Sequence, residues 1–219
     1  MRASLASLGR WLRGGWRVEV PQGRWVVVDT ETSGLDPHGD RLLSIGAIAV
    51  DGEGIRIADS FEVILGGAAA GDAANIVVHG IGHGAQAQGV PPAVALAAFA
   101  DWSADAPRIG YHADFDRAVL RNATTGAGTP VDDSRWLDLA PLAAALAPNT
   151  GARGVHSLDD WLAVFGIECP LRHNAASDAL ATAELLLLLR ALAAKQGARG
   201  FDALLKVAGQ RKWLGGSGH

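Results

Sequence analysis

Cysteine occurs once in the chain, at Cys169, so neither an intramolecular disulfide nor a cysteine-ligated zinc site can form. Such usage fits a reducing, cytoplasmic setting. Lysine is nearly as scarce, at positions 195, 206 and 212 alone, so arginine carries the basic side of the chain. Arginine is the residue suited to bidentate phosphate contact. Positive charge is not in excess either: 19 Lys and Arg against 23 Asp and Glu leave a net charge of −4. That balance argues against a protein that coats long duplexes through a basic surface. No apolar run reaches the ~18–20 residues that span a bilayer, so stable membrane insertion is not expected. The strongest candidate, residues 179–194, is broken by Glu184 and Arg190 and reads as a buried helix. What the chain has in quantity is hydrophobic residues, 49% against 19% charged, which supports a sizeable core and excludes global disorder. Its 219 residues fit one domain with short extra pieces.

The chain divides into a basic extension (1–23), a main domain (24–196) and a tail (197–219). In the extension, Arg2, Arg10, Arg13 and Arg17 alternate with Trp11, Leu12 and Trp16 before the first acid, Glu19. A poorly ordered extension is the simplest reading; a membrane-surface helix or a nucleic-acid-touching arm are the alternatives. The segment lacks the apolar core of a secretory signal, so none is expected here. From Arg24 onward, Trp25–Val28 and Leu43–Val50 are β-branched apolar runs, and Ile55–Leu65 follows the turn Asp51-Gly52-Glu53-Gly54. Three strands joined by short turns predict an antiparallel meander. Residues 66–89 are expected to form a long loop with a short helix. The period then changes. Helices are predicted over 91–104, 115–123, 141–147, 157–165 and 175–195, with short strands at 108–111 and 136–139. Ser157 and Asp160 form a capping box with the shorter acid. The expected class is α/β, a mixed sheet flanked by helices.

Three segments carry acids at element ends. In Val28-Asp29-Thr30-Glu31, the carboxylates lie two residues apart on a strand and therefore point to one face. Converging carboxylates beside a buried strand repel unless a cation lies between them, and hard oxygen ligands favour Mg²⁺ or Mn²⁺. Tyr111-His112-Ala113-Asp114-Phe115-Asp116 follows a short strand; one acid is expected to cap the next helix and the other to face a site. In His173-Asn174-Ala175-Ala176-Ser177-Asp178, a loop enters the longest apolar helix, whose first turn welcomes the anion Asp178. Two other patterns lead nowhere. Gly80-Ile81-Gly82-His83-Gly84 lacks the flanking strand and helix of a dinucleotide loop, and no Glu follows His79 to make a zinc-protease motif.

Asp29-x-Glu31, Phe115-Asp116 and His173-x4-Asp178, in this order, resemble the DEDDh class of 3′–5′ exonucleases, which includes the proofreading epsilon subunit of bacterial DNA polymerase III. The resemblance covers residues 25–192. Leu43-Ser44-Ile45-Gly46, Val78-His79-Gly80-Ile81 and His156-Ser157-Leu158 agree with it. It implies a ribonuclease H-like fold and two divalent cations, Mg²⁺ or Mn²⁺, held by Asp29, Glu31, Asp116 and Asp178. It implies that His173 orients and deprotonates the attacking water. Thr32, Ser33, Gly34 and Leu35 would line the terminal-nucleotide pocket, together with His79, His112 and Phe115. The sister class with a catalytic tyrosine is excluded, because that position is Asn174 and the one tyrosine is Tyr111. The family's second motif usually opens His-Asn where this chain has Tyr111-His112. The implied partner is a single-stranded 3′ end, of DNA first and of RNA as the alternative; a non-catalytic docking module is the reading of another class. Polymerase or sliding-clamp contact rests on Gln210–Leu214, which resembles a clamp-binding peptide, although a fraying basic tail is the simpler account.

Overall fold

The computed structural model describes residues 23–67, 80–128, 134–148 and 157–214. Residues 1–22 of the basic extension, His79 and His156 lie outside them.

Five strands form one mixed sheet in the order β3-β2-β1-β4-β5. The strands are β1 (Trp25–Thr32), β2 (Leu42–Val50), β3 (Ile55–Ile64), β4 (Arg108–Gly110) and β5 (Trp136–Asp138). The first three form the expected antiparallel meander, and β4 and β5 add parallel to β1. The helices are α1 (His83–Ala87), α2 (Pro92–Ser103), α3 (Asp114–Ala127), α4 (Leu139–Leu146), α5 (Leu158–Phe165), α6 (Ala175–Lys195) and α7 (Phe201–Leu214). This is the ribonuclease H-like architecture that the resemblance implied. Among the described residues, no helix is long and apolar enough to cross a membrane.

Alternation along β1 decides which layer each side chain joins. Trp25 and Val27 enter a core with α4, α5, α6 and α7, while Val26 and Val28 enter a second core with α2 and α3. β1 is therefore buried on both faces, which is why it reads as an unbroken apolar run. The same alternation carries Asp29 and Glu31 to the α6 side and Thr30 to the α3 side. Helix α6 is apolar nearly all round because it lies between the sheet and other helices; Leu185, Leu186 and Leu189 are fully buried.

One close approach sets the position of the α6 N-terminus. Gly46 on β2 pairs with Asp29, and a Cβ there would overlap the Ala175 carbonyl carbon and the Ala176 nitrogen. Only glycine lets the helix start this close to β2, the neighbour of the strand that carries the first two acids. Gly46→Ala should cost about 1–3 kcal/mol, as overpacking does, and should weaken Mn²⁺ binding by pushing Asp178 outward. Thermal melts and Mn²⁺ titration check both effects; an unchanged melting temperature would refute the contact.

Two expectations need correction. Neither Asp114 nor Asp116 caps α3: its N-cap is Ala113, with no side-chain cap bond. Instead Asp116 is turned inward by a tertiary bond, which local capping propensity cannot anticipate. The supposed tail at 197–219 contains α7, whose Phe201, Leu204 and Ala208 are buried in the α6-side core. Trp25 packs edge-on against Phe201 with ring centroids 5.7 Å apart, so burial of that apolar face holds the segment down. Gln210–Leu214 lies in the last turns of this helix rather than in a loose tail.

Candidate active site

At the C-terminal end of β1, carboxylate oxygens of Asp29, Glu31 and Asp178 lie within 4.8 Å of one another. Strand alternation supplies the first two. The third comes from the first turn of α6, whose N-cap Asn174 accepts the Ser177 N–H at 3.0 Å. Both oxygens of Asp178, which is 4% exposed, are engaged. Oδ1 accepts from Arg172 Nη1 and lies 3.2 Å from Cys169 Sγ, while Oδ2 accepts the His173 backbone N–H at 2.8 Å.

Asp116 belongs to the opposite layer and is held at the pocket by Thr30, whose Oγ1 donates to its Oδ1 at 2.7 Å. It stands outside the three-acid set, yet its charge raises the pKa of both Asp29 and Glu31. His173 is exposed and adopts a left-handed backbone conformation, φ 63°. That turn aims its N–H at Asp178 and leaves the imidazole on the solvent side.

Electrostatics make this pocket unfavourable without a cation. Burial pushes Asp29 well above the usual carboxylate range, and Asp116, Asp178 and Glu31 push it further, against the pull of Arg172. Glu31 is pushed up to about 7 by desolvation first and by Asp178 and Asp116 next. Asp116 also reaches about 7, through burial, although the Thr30 bond favours its charged form. A divalent cation fits this donor set: three carboxylates, hard oxygens and strong mutual repulsion.

The sign of the pH effect follows. Between the unfolded pKa values near 4 and the folded values of about 7 for Glu31 and Asp116, the folded protein binds more protons than the unfolded chain. The pocket's contribution to stability therefore falls as pH rises through that window. Mn²⁺ displaces those protons, so the melting temperature should rise more on adding Mn²⁺ at pH 8 than at pH 5.5. Without metal, Glu31→Gln should raise the pH 8 melting temperature by roughly 2–4 °C, which ~1 kcal/mol brings in a chain of this size. Scanning fluorimetry at both pH values checks the pair. An Mn²⁺ increment larger at pH 5.5 would contradict the repulsion argument.

Of the expected binding residues, His79 lies outside the described residues, and the others follow or precede the acids in sequence. Thr32–Leu35 opens the loop after β1, which Asp40 knits: it accepts from Ser33 Oγ and from the Asp36 N–H, each at 2.8 Å. Leu35 is 90% exposed at its tip. Phe115 packs partly into the α3-side core. His112 is exposed, with φ 55°, and donates its N–H to Asp138 at 3.0 Å. Asparagine and histidine are both enriched in this left-handed region, so the seat tolerates His112 where the family usually has Asn.

Sequence reasoning did not find Arg172, Thr30 or Asp138. Arg172 joins Asp178 to Asp159 on α5, and Thr30 and Asp138 contact residues 86 and 26 positions away. Periodicity carries no signal for such pairs. Asn174 ahead of the apolar helix was a readable cap.

The exonuclease family model (RNase T type) matches residues 26–186. The chain belongs to this exonuclease family. A DNA polymerase III subunit epsilon-like protein of Rhodobacter capsulatus is 34% identical over 187 residues, spanning 83% of this chain and 26% of that protein. The PolC-type DNA polymerase III of Bacillus subtilis is 30% identical over 193 residues, 85% of this chain and 13% of the polymerase. The chain thus corresponds to a minor part of each relative. Exonuclease I of Escherichia coli, in complex with a dT13 oligonucleotide, superposes with a TM-score of 0.68 at 22% identity, covering 80% of this chain and 42% of that one. That likeness shows a shared fold.

Proposed function

We propose that this exonuclease-family chain removes nucleotides from the 3′ end of single-stranded DNA, releasing nucleoside 5′-monophosphates. The observation that carries the reading is the convergence of Asp29, Glu31 and Asp178 within 4.8 Å, with His173 one turn away on the same loop–helix junction. Asp29, Glu31 and Asp178 would hold one divalent cation, and Asp116, with Asp29, would serve a second. Bound there, Mg²⁺ or Mn²⁺ would supply charge neutralisation at the phosphate and activation of water. A zinc-bound form of the E. coli exonuclease I–ssDNA complex fits a cation site on this fold.

The protein's own groups do the rest. His173, exposed beside the acids, accepts the proton of the attacking water. The Asp178 bond to its backbone N–H holds that loop against the carboxylates. Thr32–Leu35, with the exposed Leu35 at the loop tip, would receive the terminal nucleotide together with His112 and Phe115. His79 lies outside the described residues and keeps only the role that the resemblance implies. DNA is favoured because the relatives are a DNA polymerase III subunit epsilon-like protein and a PolC-type DNA polymerase III, and the neighbour holds a DNA oligonucleotide.

Incubation of the full chain with 5′-end-labelled DNA and RNA oligonucleotides, with Mg²⁺, Mn²⁺ or chelator, tests this. DNA should shorten from its 3′ end in either metal and stay intact in chelator. RNA shortened in place of DNA would shift the substrate class, and neither polymer shortened would refute the enzyme reading.

A further inference from the structure

Arg172 is the cation already present in this pocket. Its Nη1 donates to Asp178 Oδ1, and its Nε and Nη2 donate to the two oxygens of Asp159 on α5. The fork-shaped guanidinium thereby straddles two carboxylates on different helices. Its side chain is 26% exposed, while that of Asp178 is 5% exposed. Arg172 also attracts Asp29 and Glu31, opposing the repulsion among the acids. Asp159, 60% exposed, keeps a second hold on the guanidinium if Asp178 is taken away from it.

We propose that Arg172 is a positioning residue, the built-in counter-cation that keeps Asp178 and the His173 loop in place until a divalent cation takes over Asp178 Oδ1. The proposal rests on the exonuclease reading of the site. Its physical content is competition: one carboxylate oxygen cannot serve a guanidinium and a divalent cation equally. The metal-free protein gains a partnered Asp178 at the expense of metal affinity. Asp159 retains Arg172 nearby, so the loop that bears His173 stays tied to α5 after the exchange.

The test is Mn²⁺ affinity by calorimetry, together with metal-free melting temperature, on the full chain. Arg172→Ala should melt lower without metal, because the buried Asp178 loses its partner. The same variant should bind Mn²⁺ roughly tenfold more tightly, because a positive charge a few ångströms from the ion has gone. Arg172→Lys keeps the charge and should stay within about threefold of wild-type affinity. A merely structural role would lower the melting temperature and leave Mn²⁺ affinity equal or weaker, and that result would overturn the proposal. Lys tightening Mn²⁺ as much as Ala would overturn it as well. Should Arg172→Ala not fold, Arg172→Gln retains a hydrogen-bond donor without charge, and the same tightening is expected. Wild-type protein that binds no Mn²⁺ would overturn both this role and the metal-site reading; wild-type binding with unaltered variants would overturn the role of Arg172 alone.

Discussion

Asp178→Asn should abolish turnover, with a loss of about 10³-fold or more and a parallel loss of Mn²⁺ occupancy. The substitution preserves shape and an oxygen acceptor, so the α6 N-terminus and its Asn174 cap should survive. What changes is charge. Asp178 is the only one of the three clustered acids that comes from a different element, so it closes the set formed by Asp29 and Glu31. Neutralising it removes a ligand and part of the field that would hold a cation, and metal ions in such sites are worth several kcal/mol of transition-state stabilisation. Glu31 and Asp29 both have raised pKa values partly because Asp178 is there, so the metal-free variant should titrate them at lower pH. Single-turnover cleavage and Mn²⁺ calorimetry on the same preparation check this. Near-normal Mn²⁺ affinity would remove Asp178 from the ligand set.

His173→Ala should separate proton transfer from metal binding. Loss of the imidazole is expected to cost ~10²–10⁴ in rate, the range of general acid–base catalysis. Mn²⁺ affinity should stay within a few-fold, for a reason visible in the geometry. His173 holds Asp178 through its backbone N–H at 2.8 Å, a bond that alanine also makes. The left-handed conformation at φ 63° costs alanine no less than histidine, so a small drop in melting temperature is tolerable to the reading. Because only neutral imidazole accepts a proton, the rise of wild-type rate with pH should flatten in the variant. A variant with a near-normal rate and an unchanged pH profile would eliminate His173 as the base, even with exonuclease activity intact.

Local sequence was sufficient for what depends on local periodicity and end chemistry. The apolar run before Asp29 made β1, its two-residue alternation placed Asp29 and Glu31 on one face, and the capping residues Ser157 and Asp160 opened α5. The long apolar stretch from Ala179, broken only by Glu184 and Arg190, reads as a buried helix, and it is one. An ordered set of acids also carried the family. Its physical basis is that a cation site needs its ligands at element ends, where backbone direction changes and side chains from separate elements meet.

Tertiary structure alone decided which charges face one another. Residue pattern alone leaves open which of Asp114 and Asp116 faces the site; the bond from Thr30, 86 residues away, turns Asp116 to the pocket. Arg172 looks like a surface arginine before a histidine, yet it bridges Asp159 and Asp178 across the junction of α5 and α6. Residues 201–208 look too short and mixed for a core element, but α7 gains its place from packing against Trp25 and α4, contacts that exist only after the sheet has formed. Gly46 carries the same lesson in reverse: its missing Cβ is invisible as a signal until the α6 backbone arrives against β2. Periodicity fixes faces within an element, whereas pairing between elements depends on distances that a one-dimensional pattern does not contain.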